Sequence, residues 1–364
     1  MSATKNQYNP DYAVPPGWIL EEILEARNLS QAEFARRCGR TPKLISEIIA
    51  GKAPIETETA LQFERATGID AGIWQRMEAS YRRHLALEYE AKKAEEWRKS
   101  FPIAALVKRG CFKKPESKID AISKLLKFFG VGSIEGWNNR YGKMNVAYRH
   151  SQSFKSNEVA LATWLRLGEI EAASQHCAEY NKSKFKQAAV TIRGLTTQPV
   201  EKIIQQAIQI CNKAGVALVL TPPLPRIALS GAARWLSPRK AIIQLTARHK
   251  SDDHFWFSFF HEVAHILLHS KKEVFVEESN NKPNERAELE VEANEWASDF
   301  LVPKKAWNQY IFRENFSETA VLKFAKEQRI APGIIVGKLQ HKGFVPYRSN
   351  LNGLKQKVDL GKIK

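Results

Sequence analysis

The chain reads as mainly α and multidomain: a small five-helix bundle first, a helical middle segment next, and an α+β domain with a small three-stranded sheet last. Three observations predict this. Apolar residues recur at helical spacing over most of the stretch from Trp18 to Ala214. Extended runs occur only at "VALVLT", "RIALSGAARWL" and "KAIIQLT", with Pro- and Gly-containing turns between them. A further helix follows and carries the pentapeptide "HEVAH". A chain of 364 residues is long enough for two or three domains. The expected boundaries are a flexible start at 1–14, the bundle at 15–90, a helical connector at 91–198, the α+β domain at 199–347 and a basic tail at 348–364.

The bundle is legible element by element. Trp18, Leu20, Ile23 and Leu24 give a first amphipathic helix that stops near Asn28. Ser30 caps a second helix, with Glu33 three residues later in capping-box spacing. Phe34 and Ala35 face inward, and Gly39 ends the helix. Thr41 caps a third, with Pro42 at its first position, where the missing N–H costs nothing. Leu44, Ile45, Ile48 and Ile49 are its apolar positions, and Gly51 closes it. Two short helices joined by a turn of a few residues form a helix-turn-helix arrangement. In that geometry Thr41, Lys43, Ser46 and Glu47 face base edges of double-stranded DNA. Gln31, Arg36, Arg37, Arg40 and Lys52 face phosphates. A helical bundle used only for dimerisation shares the same spacing.

The residues "LSQAEFARRCGRTPKLISEIIAGK" and "ETALQFERATGIDAGIWQRMEASYRR" resemble the Xre-type helix-turn-helix proteins of the HigA antitoxin group, over roughly residues 15 to 90. The resemblance implies a homodimer that binds operator DNA and represses transcription.

The formal charge is +17 and its excess lies in the middle of the chain. Residues 1–90 hold 11 Lys and Arg against 13 Asp and Glu, whereas residues 91–215 hold 22 against 10. A solvated Lys-rich surface explains this as well as a docking face does. The middle segment has breaks at "FPI", "CFKKP", "GVGS" and "GLTTQP", core-like tryptophans at Trp97, Trp137 and Trp164, and no ligand spacing. The cysteines Cys38, Cys111, Cys177 and Cys211 are scattered and suit a reduced compartment. No signal segment or membrane-length apolar run is present, so the expected location is the cytoplasm, with no membrane partner.

A helix from about Asp253 to His269 follows the third strand, with His261 and His265 one turn apart on one face and Glu262 beside them. Two neutral imidazoles can bind Zn²⁺ while the carboxylate stays off the metal and takes the proton of its water. Two core histidines would show the same spacing, so a third ligand decides. In "ERAELEVEANEWASDFLVP" the residues Leu289, Ala293, Trp296, Ala297, Phe300 and Leu301 define a buried stripe. Glu290 falls on its shoulder, Glu288 and Glu295 point toward water, and Glu292 lies on the opposite shoulder, farther from the stripe centre. Glu290 is therefore the expected third ligand. Asn294, one turn later, can hydrogen-bond a ligand histidine and fix its tautomer. His269 is treated as an outer partner or as structural. Three protein ligands leave a coordination place for water, as catalytic zinc requires, and the set favours zinc over manganese or iron.

The whole stretch "GVALVLTPPLP…SGAARWL…FWFSFFHEVAHILLH…ELEVEANEWASDFLVP" resembles the ImmA/IrrE zinc metallopeptidases, and "ALATWLRLGEIEAA" with "IRGLT" is similar to their multidomain members. The resemblance implies a zincin-like fold, metal ligands His261, His265 and Glu290, the catalytic Glu262, and a protein substrate that is itself an Xre-type repressor or antitoxin. Two functional expectations follow. One is a DNA-associated zinc endopeptidase that cleaves such a repressor and so regulates prophage, mobile-element, toxin-antitoxin or stress genes. The other is a HigA-like autorepressor whose metal domain senses or binds a partner without catalysis.

Overall fold

The structure is a computed structural model. It describes residues 14–142, 158–225, 227, 229–246, 250–269 and 283–359, with side chains of 283–287 left aside. Residues 1–13 of the expected flexible start and 360–364 of the expected basic tail lie outside the described residues. The chain divides into two compact units, Met1–Lys99 with Pro115–Ser123, and Ser100–Lys114 with Lys124–Lys364.

The first unit is built on five helices: α1 (Pro16–Ala26), α2 (Gln31–Cys38), α3 (Pro42–Ile49), α4 (Thr57–Thr67) and α5 (Ala71–Lys93). Its core is Leu20, Leu24, Phe34, Ala35, Ile45, Ile48, Phe63 and Trp74. Phe34, Phe63 and Trp74 pack ring against ring, at 5.2 and 5.5 Å between centroids. The Ser30 hydroxyl accepts from Glu33 N–H and the Thr41 hydroxyl from Leu44 N–H, so both helices of the turn carry side-chain caps. Gly39 closes α2 in the left-handed conformation, at φ 64°.

Two expectations need correction here. Trp18 is 54% exposed rather than packed inward. Gly17 of α1 lies directly against α3, where a Cβ would run into the backbone of Ile48 and Ile49, and the next residue along a helix is rotated well away from that contact. Glu33, for its part, does not close a capping box. Its carboxylate is held by Arg36 at 2.6 Å and Arg37 at 3.0 Å.

The first unit also holds α6 (Glu95–Lys99) and the start of α8 (Lys118–Phe129), up to Ser123; the second holds α7 (Ile103–Lys108), the rest of α8, α9 (Ile134–Trp137), α10 (Glu158–Ser174), α11 (Lys182–Leu195) and α12 (Val200–Lys213). Trp137 and Trp164 are buried and Trp97 is half-buried. The sheet has β1 (Val216–Leu220), β2 (Gly231–Ser237) and β3 (Lys240–Leu245) in the order β1-β3-β2. β1 runs parallel to β3 with Val216 opposite Ala241, and β2 runs antiparallel with Gly231 opposite Leu245.

Both faces of the sheet are covered, which is why its strands read as continuous apolar runs. Val216, Leu218, Ala241, Ile243 and Leu245 join one core with α12 and with α13 (Asp252–Leu268). Ala217, Val219 and Ile242 turn the other way, against Ala172 of α10. Phe255, Trp256, Phe259, Phe260 and Val263 anchor α13 to the sheet side. Helices α14 (Pro283–Leu301), α15 (Lys304–Ile311), α16 (Glu318–Gln328) and α17 (Pro332–His341) complete that core. A tail segment then straps the start of α13: Asp252 N–H donates to Gln356 O, and Lys355 pairs with Asp253 at 2.6 Å.

Candidate functional site

The aromatic run that buries α13 also determines where its polar residues go. With Phe260, Val263, Ala264 and Leu267 turned into the core, His261 and His265 are left half-buried toward α14. Their rings stand 4.6 Å apart between centroids, and their Nε2 atoms are 3.0 Å apart. Glu290 reaches across from α14, with Oε2 3.2 Å from His261 Nε2 and Oε1 3.6 Å from His265 Nε2. One donor atom from each residue lies within 4.8 Å of the others, and this is the group of metal-capable side chains found among the described residues. Two imidazoles and a carboxylate at this separation fit a divalent cation of the zinc type.

The outer partners are equally specific. Asn294 Oδ1 lies 3.0 Å from His261 Nδ1. His265 Nδ1 lies 2.9 Å from His269 Nδ1, and His269 Nε2 lies 3.2 Å from Glu292 Oε2. Glu288 and Glu295 are exposed. Glu292, set aside in the sequence by its distance from the buried stripe, is therefore in touch with the histidine row. The residue spacing alone gives no signal for that contact, because it depends on how α13 and α14 cross.

Glu262 is 6% exposed and lies against β2, facing the Ala233 backbone N–H. A Cβ on Gly231 would come within 2.8 Å of Glu262 Oε1, so glycine at 231 leaves the room that this carboxylate occupies. Gly231 and Ala233 escaped sequence reasoning, since nothing in a strand's alternation announces contact with a later helix. Burial pushes the Glu262 carboxyl up to about 7, with the charge of Glu290 adding to the rise while His261 and the Ala233 amide oppose it. Burial, together with the neighbouring His261 and His269, holds the His265 imidazolium down at about 3. His265 is thus neutral, as a ligand must be. For His261 burial works downward, but the hydrogen bond to Glu290 and the charges of Glu262 and Glu290 leave its pKa raised.

In the first unit Thr41, Lys43, Ser46 and Lys52 are exposed, whereas Gln31, Arg40 and Glu47 are partly covered. The Thr41 hydroxyl is engaged as a cap. Arg36 and Arg37 are exposed but held by Glu33. Arg40 is bound to Gln62 at 2.5 Å and Glu58 at 2.9 Å. Lys43 is 84% exposed and rests 3.8 Å from Glu47.

Two family models match the chain, one within each unit. Residues 20–74 match the helix-turn-helix family, and residues 216–331 match the peptidase family described as the IrrE N-terminal-like domain. The uncharacterized HTH-type transcriptional regulator YddM of Escherichia coli K12 is 30% identical over 66 residues, which cover 18% of this chain and 70% of that protein. A solved addiction module antidote protein of a HigA family from Coxiella burnetii is 26% identical, covering 23% of this chain and 91% of that one, with a TM-score of 0.21.

Proposed function

We propose that this chain, a member of the helix-turn-helix transcriptional regulators with an IrrE N-terminal-like peptidase domain in its second half, is a DNA-associated zinc endopeptidase that cleaves a repressor or antitoxin protein in the cytoplasm. The observation that carries the reading is the convergence of His261 Nε2, His265 Nε2 and the Glu290 carboxylate, with the buried Glu262 on the next position of the same helix. His261, His265 and Glu290 would hold the ion. When bound, zinc supplies Lewis-acid polarisation of a carbonyl and lowers the pKa of water to about 7.

This chain's own residues supply the rest of the chemistry. Glu262, with its carboxyl lifted by burial toward neutrality, is suited to take a proton from water and return it to the leaving amine. Asn294 holds the His261 ring. β2 is an edge strand of the sheet, and the proposed substrate lies extended beside it, using main-chain hydrogen bonds. The helix-turn-helix would place the peptidase at an operator, as a dimer in the usual manner of such readers. The cytoplasmic assignment rests on four free cysteines and a DNA-reading domain; among the described residues no helix is long and apolar enough to cross a membrane.

The near-complete burial of Glu262 favours one other reading, a HigA-like autorepressor whose metal domain senses or binds without cutting. One experiment separates them. Zinc-loaded wild type and Glu262→Gln are incubated with lysate of the host, and newly formed protein N-termini are tagged and sequenced. The endopeptidase reading expects new termini with wild type and none with Glu262→Gln at equal zinc content. The same termini from both proteins, or none from either, contradicts it.

A further inference from the structure

His269 sits one turn beyond His265 on α13, and its side chain is 3% exposed. A packing role alone would not require an imidazole there, yet both of its ring nitrogens are engaged. Nε2 lies 3.2 Å from Glu292 Oε2, and Nδ1 lies 2.9 Å from His265 Nδ1. These contacts admit one proton arrangement compatible with metal ligation. An ionised carboxylate only accepts, so His269 Nε2 carries a hydrogen and donates it to Glu292. A neutral His269 then has a bare Nδ1, and the hydrogen between the rings belongs to His265 Nδ1. His265 Nε2 is left bare, turned toward His261 Nε2 and the Glu290 carboxylate. The reverse arrangement, with His265 Nδ1 accepting from a protonated His269, puts a hydrogen on His265 Nε2 where the ion would sit.

We propose that His269 and Glu292 form a positioning pair that sets the tautomer and ring orientation of His265, as Asn294 does for His261. The inference rests on reading His261, His265 and Glu290 as the metal site. It assigns α14 a wider task than one ligand, since Glu290, Glu292 and Asn294, at alternate positions of that helix, contact His261, His265 and His269 between them. Each proposed ligand imidazole thereby gains an outer acceptor, the device that raises ligand basicity and prevents the ring from turning.

The test is zinc affinity of the full-length protein, measured by competition with a chromophoric chelator, beside thermal melting of each apoprotein. His269→Phe keeps a ring and removes both nitrogens; it is expected to weaken zinc binding roughly 10- to 100-fold. His269→Asn restores an acceptor near the Nδ1 position and is expected to recover most of that loss. Glu292→Ala, at a side chain 57% exposed, is expected to lose about threefold to tenfold without lowering the melting temperature. Wild-type affinity in His269→Phe overturns the proposal, as does equal loss in His269→Phe and His269→Asn. If His269→Phe fails to fold, Glu292→Ala decides: reduced affinity supports the pair and unchanged affinity refutes it. Should wild type itself take up no zinc, the metal reading falls and the pair with it; zinc held equally by wild type and by the folded variants removes the pair alone.

Discussion

At the scale of single residues, the proposed site depends on contacts that a strand and two helices make with one another. The shared face of His261 and His265 is legible from their spacing of four, and the shoulder position of Glu290 from the apolar stripe around it. The approach of Gly231 to Glu262 is not legible in this way, because 31 positions separate them and no local pattern links them. It makes a prediction of its own. In Gly231→Ala the added methyl would meet Glu262 Oε1 and Leu245 Cδ2, each at 2.8 Å, and displace the carboxylate. Loss of a correctly placed general base costs on the order of 10²-fold. Cleavage should fall by about that factor while zinc content stays at the wild-type level, as measured by metal analysis of the same sample; undiminished cleavage would refute the placement of Glu262.

At the scale of elements, helix starts and apolar stripes are readable because caps and periodicity are local, as at Ser30 and Thr41. Contacts across elements are not, as Trp18 and Glu33 illustrate: one is turned outward by Gly17, the other is drawn away by Arg36 and Arg37. The start of α13 carries a further cost that only the packed structure reveals. Asp252 is 1% exposed, and its Oδ1 accepts from the Gln356 and Asp253 backbone amides while Oδ2 has no hydrogen-bond partner among the described residues. Burial, reinforced by the charge of Asp253, lifts its pKa from 3.8 to about 6 against the opposing backbone hydrogen bonds. A carboxyl whose pKa is higher folded than unfolded contributes stability below pH 3.8 that is lost as pH rises to about 6. Asp252→Asn keeps the accepting oxygen and cannot ionise. By urea unfolding, its stability gain over wild type should be absent near pH 3, open between about 4 and 6, and level off at roughly 1–3 kcal/mol above that. A gap that does not change with pH would contradict the assignment.

Across the whole molecule, a domain matching DNA-reading regulators and a domain matching a peptidase family share one chain. The proposed DNA face has an uneven set of cations. Arg36 and Arg37 share their guanidinium donors with Glu33, and Arg40 with Gln62 and Glu58, whereas Lys52 is exposed. On a duplex carrying the chain's own promoter, binding should weaken as salt rises, and Lys52→Ala should reduce the slope of log K against log salt by about one. An unchanged slope would remove Lys52 from the phosphate contacts. The claim on which the rest turns is that two imidazoles of α13 and one carboxylate of α14 grip a single ion. Zinc per chain, measured by mass spectrometry of the intact native protein, tests it most directly. The account predicts one zinc in wild type and in Glu262→Gln and none in His265→Ala; zinc retained at one per chain by a folded His265→Ala would contradict it.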